Sequence, residues 1–260
     1  MCILFVAWRQ SRAYPLVVAA NRDEFHHRAT APLQWWQEAP RLAAGRDLEA
    51  GGTWLGVTRG GRFAALTNVR HPAAGGAPRS RGHLVRDVLL EPTEVPGSLA
   101  EPARQRHAYG PFNLLALGAG GLYYLNNIDG EAPQALEPGV YGLSNAGLDT
   151  PWPKLTRGRE AFASLVARDA APKACFEMLY DSTPAADEEL PNTGVGLDFE
   201  RRLSALFVRG EGYGTRCSTV VRMAADGHAE IHERRFDAGA RQTGETTLEF
   251  DISASTKGKA

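Results

Sequence analysis

The chain has 260 residues and nearly balanced charge, 29 lysines and arginines against 30 aspartates and glutamates, for a formal net charge of -1. That balance argues against nucleic acid as the main partner, and no run approaches the roughly 18 apolar residues that span a bilayer. Hydrophobic residues make up 43%, enough at this length for one domain with a substantial core.

The three cysteines, Cys2, Cys175 and Cys217, are odd in number and widely spaced. They form neither a disulfide framework nor the Cys-x-x-Cys spacing of structural zinc. The apolar run 2–8 is too short for a secretory signal and ends at Arg9, so a cytoplasmic location is expected.

Residues 3–8 read as a buried strand, and a polar turn leads into a second strand over 16–20. If the two form a hairpin about Ser11 and Arg12, paired positions sum to about 23 or 24. Cys2 then stands opposite Asn21 or Arg22, at the same open edge as Asp23. Hairpins follow at 54–58 with 63–68, around Gly60-Gly61, and at 113–117 with 122–126, around a glycine-rich turn. A further pair, 215–223 with 229–236, flanks Asp226-Gly227, and 139–143 and 247–252 supply more strands. Helices are predicted over 83–90, with Ser80 as cap and Pro92 as stop, and over 155–168, 174–180 and 199–206. Segments 73–78 and 181–196 read as surface loops, and 253–260 as a flexible tail behind a single domain of residues 1–252. Antiparallel hairpins with few helices predict two mainly antiparallel sheets, face to face and covered by helices.

The chemistry concentrates at the first hairpin. Loss of Met1, which a small second residue permits, would leave Cys2 with both a thiol and a free α-amine. A free thiol titrates near about 8.5 and an α-amine near about 7.7–8.0, so the amine suits a general base. Arg22 near the thiol favours the thiolate, and Asp23 can hold the ammonium. The alternative is a small apolar residue at a strand start beside an Arg22–Asp23 ion pair. An acyl-transfer site also needs donors for an oxyanion, and Asn68 and Asn145, each ending an apolar strand, offer amides, or else serve as turn residues. Arg216 either binds a carboxylate or braces the site. No metal site is expected. His228 and His232, four apart on one strand, are weak candidates. Trp35, Trp36 and Trp54 line an apolar pocket or, for the first two, anchor a long loop.

Met1-Cys2, Asn21-Arg22-Asp23-Glu24, Gly51-Gly52-Thr53-Trp54-Leu55-Gly56, Leu66-Thr67-Asn68 and Leu143-Ser144-Asn145 together resemble the transport and Golgi organisation family, also called the NRDE family. The likeness runs over essentially the whole chain. It implies an α+β fold, the four-layer αββα sandwich of amino-terminal nucleophile hydrolases, with two mainly antiparallel sheets between helical layers. Their nearest chemistry is that of penicillin V acylases, bile salt hydrolases and acid ceramidases, which cleave linear amides. By that resemblance Cys2 is nucleophile and, through its amine, base. Arg22 and Asp23 support it, Asn145 orients the amine or stabilises the oxyanion, and Arg216 matches a late arginine. Asn68 departs from the acylase pattern locally. The reading is a cysteine hydrolase acting on a small acylated amide or thioester, with no cofactor required. The alternative is a non-catalytic carrier of haem or a lipid-related hydrophobic ligand, using an apolar cleft.

Overall fold

The computed structural model describes residues 2–70, 78–128 and 132–253. Met1, most of the loop expected over 73–78, His71 and nearly all of the expected tail lie outside the described residues.

The chain opens with strands β1 (Cys2–Trp8), β2 (Leu16–Phe25), β3 (Thr30–Trp35), β4 (Leu42–Asp47), β5 (Leu55–Thr58) and β6 (Phe63–Asn68). Helices α1 (Arg81–Leu90) and α2 (Val95–Arg104) follow, then β7 (Phe112–Gly118), β8 (Gly121–Asn126), β9 (Gln134–Leu136) and β10 (Gly139–Leu143). The last third carries α3 (Pro153–Ala167), α4 (Pro172–Leu179), α5 (Leu197–Leu203), β11 (Tyr213–Met223), β12 (His228–Phe236) and β13 (Gln242–Asp251). Two antiparallel sheets result, one of six strands in the order β10-β1-β2-β11-β12-β13 and one of seven in the order β3-β4-β5-β6-β7-β8-β9.

Strand β1 shows why the layers form. Its side chains alternate between two faces, and both faces are covered, so the run is apolar throughout. Leu4, Val6 and Trp8 enter the core between the sheets, against Val57, Phe63 and Leu115 of the other sheet. Ile3, Phe5 and Ala7 point the other way, into a core shared with Leu155, Phe162 and Leu165 of α3. A third core packs α1 and α2, through Leu84, Val85, Val88 and Leu99, onto Leu42, Leu66 and Leu114 of the seven-stranded sheet. The order of layers is therefore helix, sheet, sheet, helix, the αββα sandwich that was expected.

Four elements lie where no regular structure was anticipated. β3 contains Pro32, which an edge strand tolerates, and β9 is a three-residue edge. β4 reads Leu-Ala-Ala-Gly-Arg-Asp, a composition of low strand propensity that forms because its neighbours bury it. α2 holds Pro102 in its interior and Pro96 in its first turn, so local propensity hides it and burial of Val95 and Leu99 decides it. The most consequential difference is β2, which runs past Ala20 to Phe25 and takes the whole Asn-Arg-Asp-Glu tetrapeptide into the sheet.

Candidate active site

Cys2 stands directly across from Arg22 in the β1–β2 ladder, and Ile3 across from Asn21. Strand alternation then divides the tetrapeptide between two layers. Arg22 shares the inter-sheet face with Cys2, where its guanidinium lies over the Trp54 ring at 4.4 Å and Nη1 donates to Thr30 Oγ1 at 3.3 Å. Glu24 Oε2 is 3.8 Å from Arg22. Asn21, on the helical face, donates through Nδ2 to the Leu179 and Leu206 carbonyls at 2.8 and 2.9 Å and accepts from Ser218 Oγ at 2.6 Å. It thus ties the end of α4 and the segment after α5 to the sheet.

Asp23 depends on β11. Between Thr215 and Cys217 that strand carries one extra residue, Arg216, so Thr215 pairs with Asp23 while Cys217 pairs with Arg22. A bulge of this kind reverses the face of everything before it. Thr215 consequently lies on the Asp23 side and donates Oγ1 to Asp23 Oδ1 at 2.7 Å. Tyr213 Oη donates to the Asp23 carbonyl at 3.0 Å.

Cys2, Arg22, Asp23, Trp54, Asn68 and Tyr213 help to line a cavity of about 600 Å³, the size of a small-molecule site. Cys2 is partly exposed there, whereas Arg22 and Asp23 are 5% and 1% exposed. Burial pushes the Cys2 thiol above its ordinary value, with the Asp23 charge acting in the same direction, while the amino-terminal charge and, less strongly, Arg22 act against them. The thiolate expected from Arg22 alone is therefore not what the surroundings favour. Desolvation is the largest influence and opposes the thiolate that the amino terminus and Arg22 favour, so ionisation of the thiol calls for a base. Burial raises the Asp23 carboxyl as well, against the amino-terminal charge first and then Lys154, the Thr215 hydrogen bond and Arg22, which all lower it.

Asn68 and Asn145 have different positions. Asn145 is 1% exposed and its Nδ2 donates to the Asn68 carbonyl at 2.8 Å, with the Asn145 carbonyl accepting from the Arg70 amide at 2.8 Å. Asn68 itself lines the cavity, and its side-chain amide makes no hydrogen bond among the described residues. Asn145 thus fixes the end of β6, and Asn68 presents the open donors. Arg216 does not line the cavity. Its Nη1 donates to the Phe25 and Arg28 carbonyls at 2.8 and 3.0 Å, holding the turn that follows β2.

Among the tryptophans, Trp54 lines the cavity. Trp36 is buried on the helical side with Nε1 donating to the Ala44 carbonyl, and Trp35 packs edge-on against Phe250, so the expected pocket role does not hold for those two. His228 and His232 are not brought together on a common ligand. His228 Nδ1 lies 3.3 Å from Asp251, and His232 lies 2.9 Å from both Glu230 and Thr247.

Sequence reasoning missed Lys154, on the first turn of α3 and 2% exposed. Burial lowers its pKa to about 8, with Asp23 pulling the other way. A signal existed, since Lys154 falls on the stripe of α3 that continues through Leu155, Gly158, Phe162 and Leu165. Arg70 and Glu200 were also missed. They form an ion pair at 2.7 Å, 7% and 5% exposed, and Thr193 donates to the same carboxylate. Residues this distant in sequence carry no spacing that could announce the pair.

In fold, the chain is similar to the N-acylethanolamine-hydrolyzing acid amidase (NAAA) ortholog of Caenorhabditis elegans, with a TM-score of 0.50 over 84% of this chain and 92% of that one, at 14% identity. In sequence it is 36% identical to the Transport and Golgi organization protein 2 homolog of Homo sapiens, over 98% of this chain and 100% of the relative. The homolog of Bos taurus is 35% identical over the same shares, and the Drosophila melanogaster protein 28% identical over 85% and 87%. With the family model matched over residues 1–238, the chain belongs to the Transport and Golgi organisation 2 family.

Proposed function

We propose that the chain is a cysteine hydrolase, cleaving the carbon–nitrogen bond of a small acylated amide, or a related thioester, after Met1 is removed. The observation that carries this reading is the position of Cys2, across from Arg22 and beside Asp23, at the wall of a cavity large enough for a substrate. In the proposed cycle the Cys2 α-amine takes the thiol proton as Sγ bonds to the acyl carbon. The carbonyl electrons move onto oxygen, where the Asn68 amide donates to the oxyanion. Collapse breaks the carbon–nitrogen bond, and the ammonium returns the proton to the departing amine. Water then attacks the thioester, giving the α-amine one proton, and Sγ leaves and is reprotonated. A thiol whose pKa burial raises needs such a base, and base and nucleophile then act in one step.

The haem-carrier alternative finds less support in the residues present. Among the described residues no histidine lines the cavity, the Tyr213 hydroxyl donates to the Asp23 carbonyl, and Cys2 is a thiol whose ionisation burial opposes. The wall is charged where an apolar cleft was expected.

Intact mass with an electrophilic acyl probe tests the hydrolase reading. Cellular protein lacking Met1 should gain one acyl group on Cys2, and Cys2→Ala should lose both labelling and turnover. Active protein that retains Met1, or turnover unchanged in Cys2→Ala, rejects it.

A further inference from the structure

Four arginines line the cavity with Cys2, and they are not equivalent. Arg22 has Glu24 beside it, and Arg28 pairs with Asp47 at 2.8 Å and Glu49 at 3.1 Å. Arg79 and Arg81 form no ion pair among the described residues. Arg81, half-buried on the first turn of α1, lines the cavity and spends Nη1 on the Pro111 carbonyl at 3.1 Å, with no other side-chain hydrogen bond among the described residues. Arg79, at the rim, lies over the Tyr109 ring at 5.0 Å and donates to Gln105. The segment leading into this pair, 71–77, contains no acidic residue.

A guanidinium drawn out of water with no carboxylate opposite it is a costly arrangement that proteins keep where an anion arrives. Burial lowers the Arg81 pKa and the Arg28 charge acts with it, against Glu24 and Cys2. The fork geometry suits two parallel bonds to a carboxylate or phosphate.

We propose that Arg81, with Arg79 at the rim, forms an anion subsite, and that the compound taken at Cys2 carries a carboxylate or phosphate on its non-acyl portion. The first half concerns binding alone, and the second rests on the hydrolase reading above. Neutral acyl amides should be poor ligands.

Cys2→Ala protein separates the two halves, because it binds without turnover. Calorimetry would compare N-lauroylglycine, the phosphate monoester of N-lauroylethanolamine, and neutral N-lauroylethanolamine. The expected result is binding of one anionic ligand at least about tenfold tighter than the neutral one, a difference of the size that charged hydrogen bonds provide. The tighter of the two anions identifies the headgroup. Arg81→Gln in the same background should abolish the preference without weakening the neutral ligand. Arg79→Gln should reduce it, and Arg81→Lys should restore part of it. Equal affinities for all three, no binding of any, or equal weakening of all three by Arg81→Gln in a protein of unchanged melting temperature would overturn the subsite. Anion-selective binding in a wild-type protein that cleaves none of the three would leave the subsite standing and count against the hydrolase reading alone.

Discussion

Thr215 reaches Asp23 only because Arg216 is an extra residue in its strand. The hydroxyl donates to Oδ1 at 2.7 Å on the helical side of the sheet, and without the bulge Thr215 would point between the sheets. The same hydroxyl accepts from the Val208 amide at 2.9 Å, so one side chain joins β2, β11 and the chain before β11. Replacing Thr215 by Val keeps the shape and removes both bonds. Unfolding in urea should show a loss of about 1–3 kcal/mol with an unchanged slope, the cost of leaving buried polar groups without a partner, and Thr215→Ser should recover most of it. Equal midpoints for wild type and Thr215→Val would mean that the bond does not hold Asp23.

Lys154 should make stability depend on alkaline pH. Its folded-state pKa is about 8, against an ordinary 10.5, so between those values the unfolded chain binds more protons than the folded one. Stability contributed through this group therefore rises with pH across the window, because a buried charge is relieved as the lysine loses its proton. The raised thiols of Cys2 and Cys217 act oppositely, which makes the difference between wild type and Lys154→Met the informative quantity. That difference should move in favour of the wild type from about pH 7.5 to about pH 10. Parallel profiles would show that Lys154 is not buried in charged form.

Gly52 should tolerate no side chain. A Cβ there would come within 2.3 Å of the Gly82 carbonyl carbon, in the first turn of α1, where the Thr53 amide also donates to the Gly82 carbonyl at 3.1 Å. The contact is backbone against backbone, so nothing can rotate out of the way. Gly52→Ala should cost about 1–3 kcal/mol, the usual range for overpacking, and displace Arg81, which leads the same turn. Thermal unfolding measures the first effect, and loss of anion preference in the binding assay measures the second.

The Arg70–Glu200 pair should be costly to halve. Glu200→Ala leaves a buried guanidinium without its carboxylate, and such single deletions destabilise by about 3–5 kcal/mol. Arg70→Met with Glu200→Leu should be much milder, since neither charge is then stranded. A double-mutant cycle in denaturant checks both, and additive losses would contradict the coupling.

Much of this protein was legible in the sequence because both faces of its central strands are buried. Contacts on both faces make the runs at 3–8 and 63–66 apolar, and centring the first hairpin on its polar turn, 9–15, places its register to within a residue. Opposition of Cys2 and Arg22 was readable for that reason. β3, β4, β9 and α2 were not, since their proline, glycine and alanine content opposes the conformation that packing imposes.

The sequence by itself therefore determined the sandwich and the meeting of the chain's start with Asn21-Arg22-Asp23-Glu24, both consequences of local periodicity. Only the tertiary structure decided the electrostatics. It set Thr215 on Asp23 through a bulge, buried Lys154 beside them, raised the Cys2 thiol by burial despite Arg22, and left Arg81 without an ion pair among the described residues. Those outcomes depend on desolvation and on contacts across long separations, which no spacing along the chain encodes.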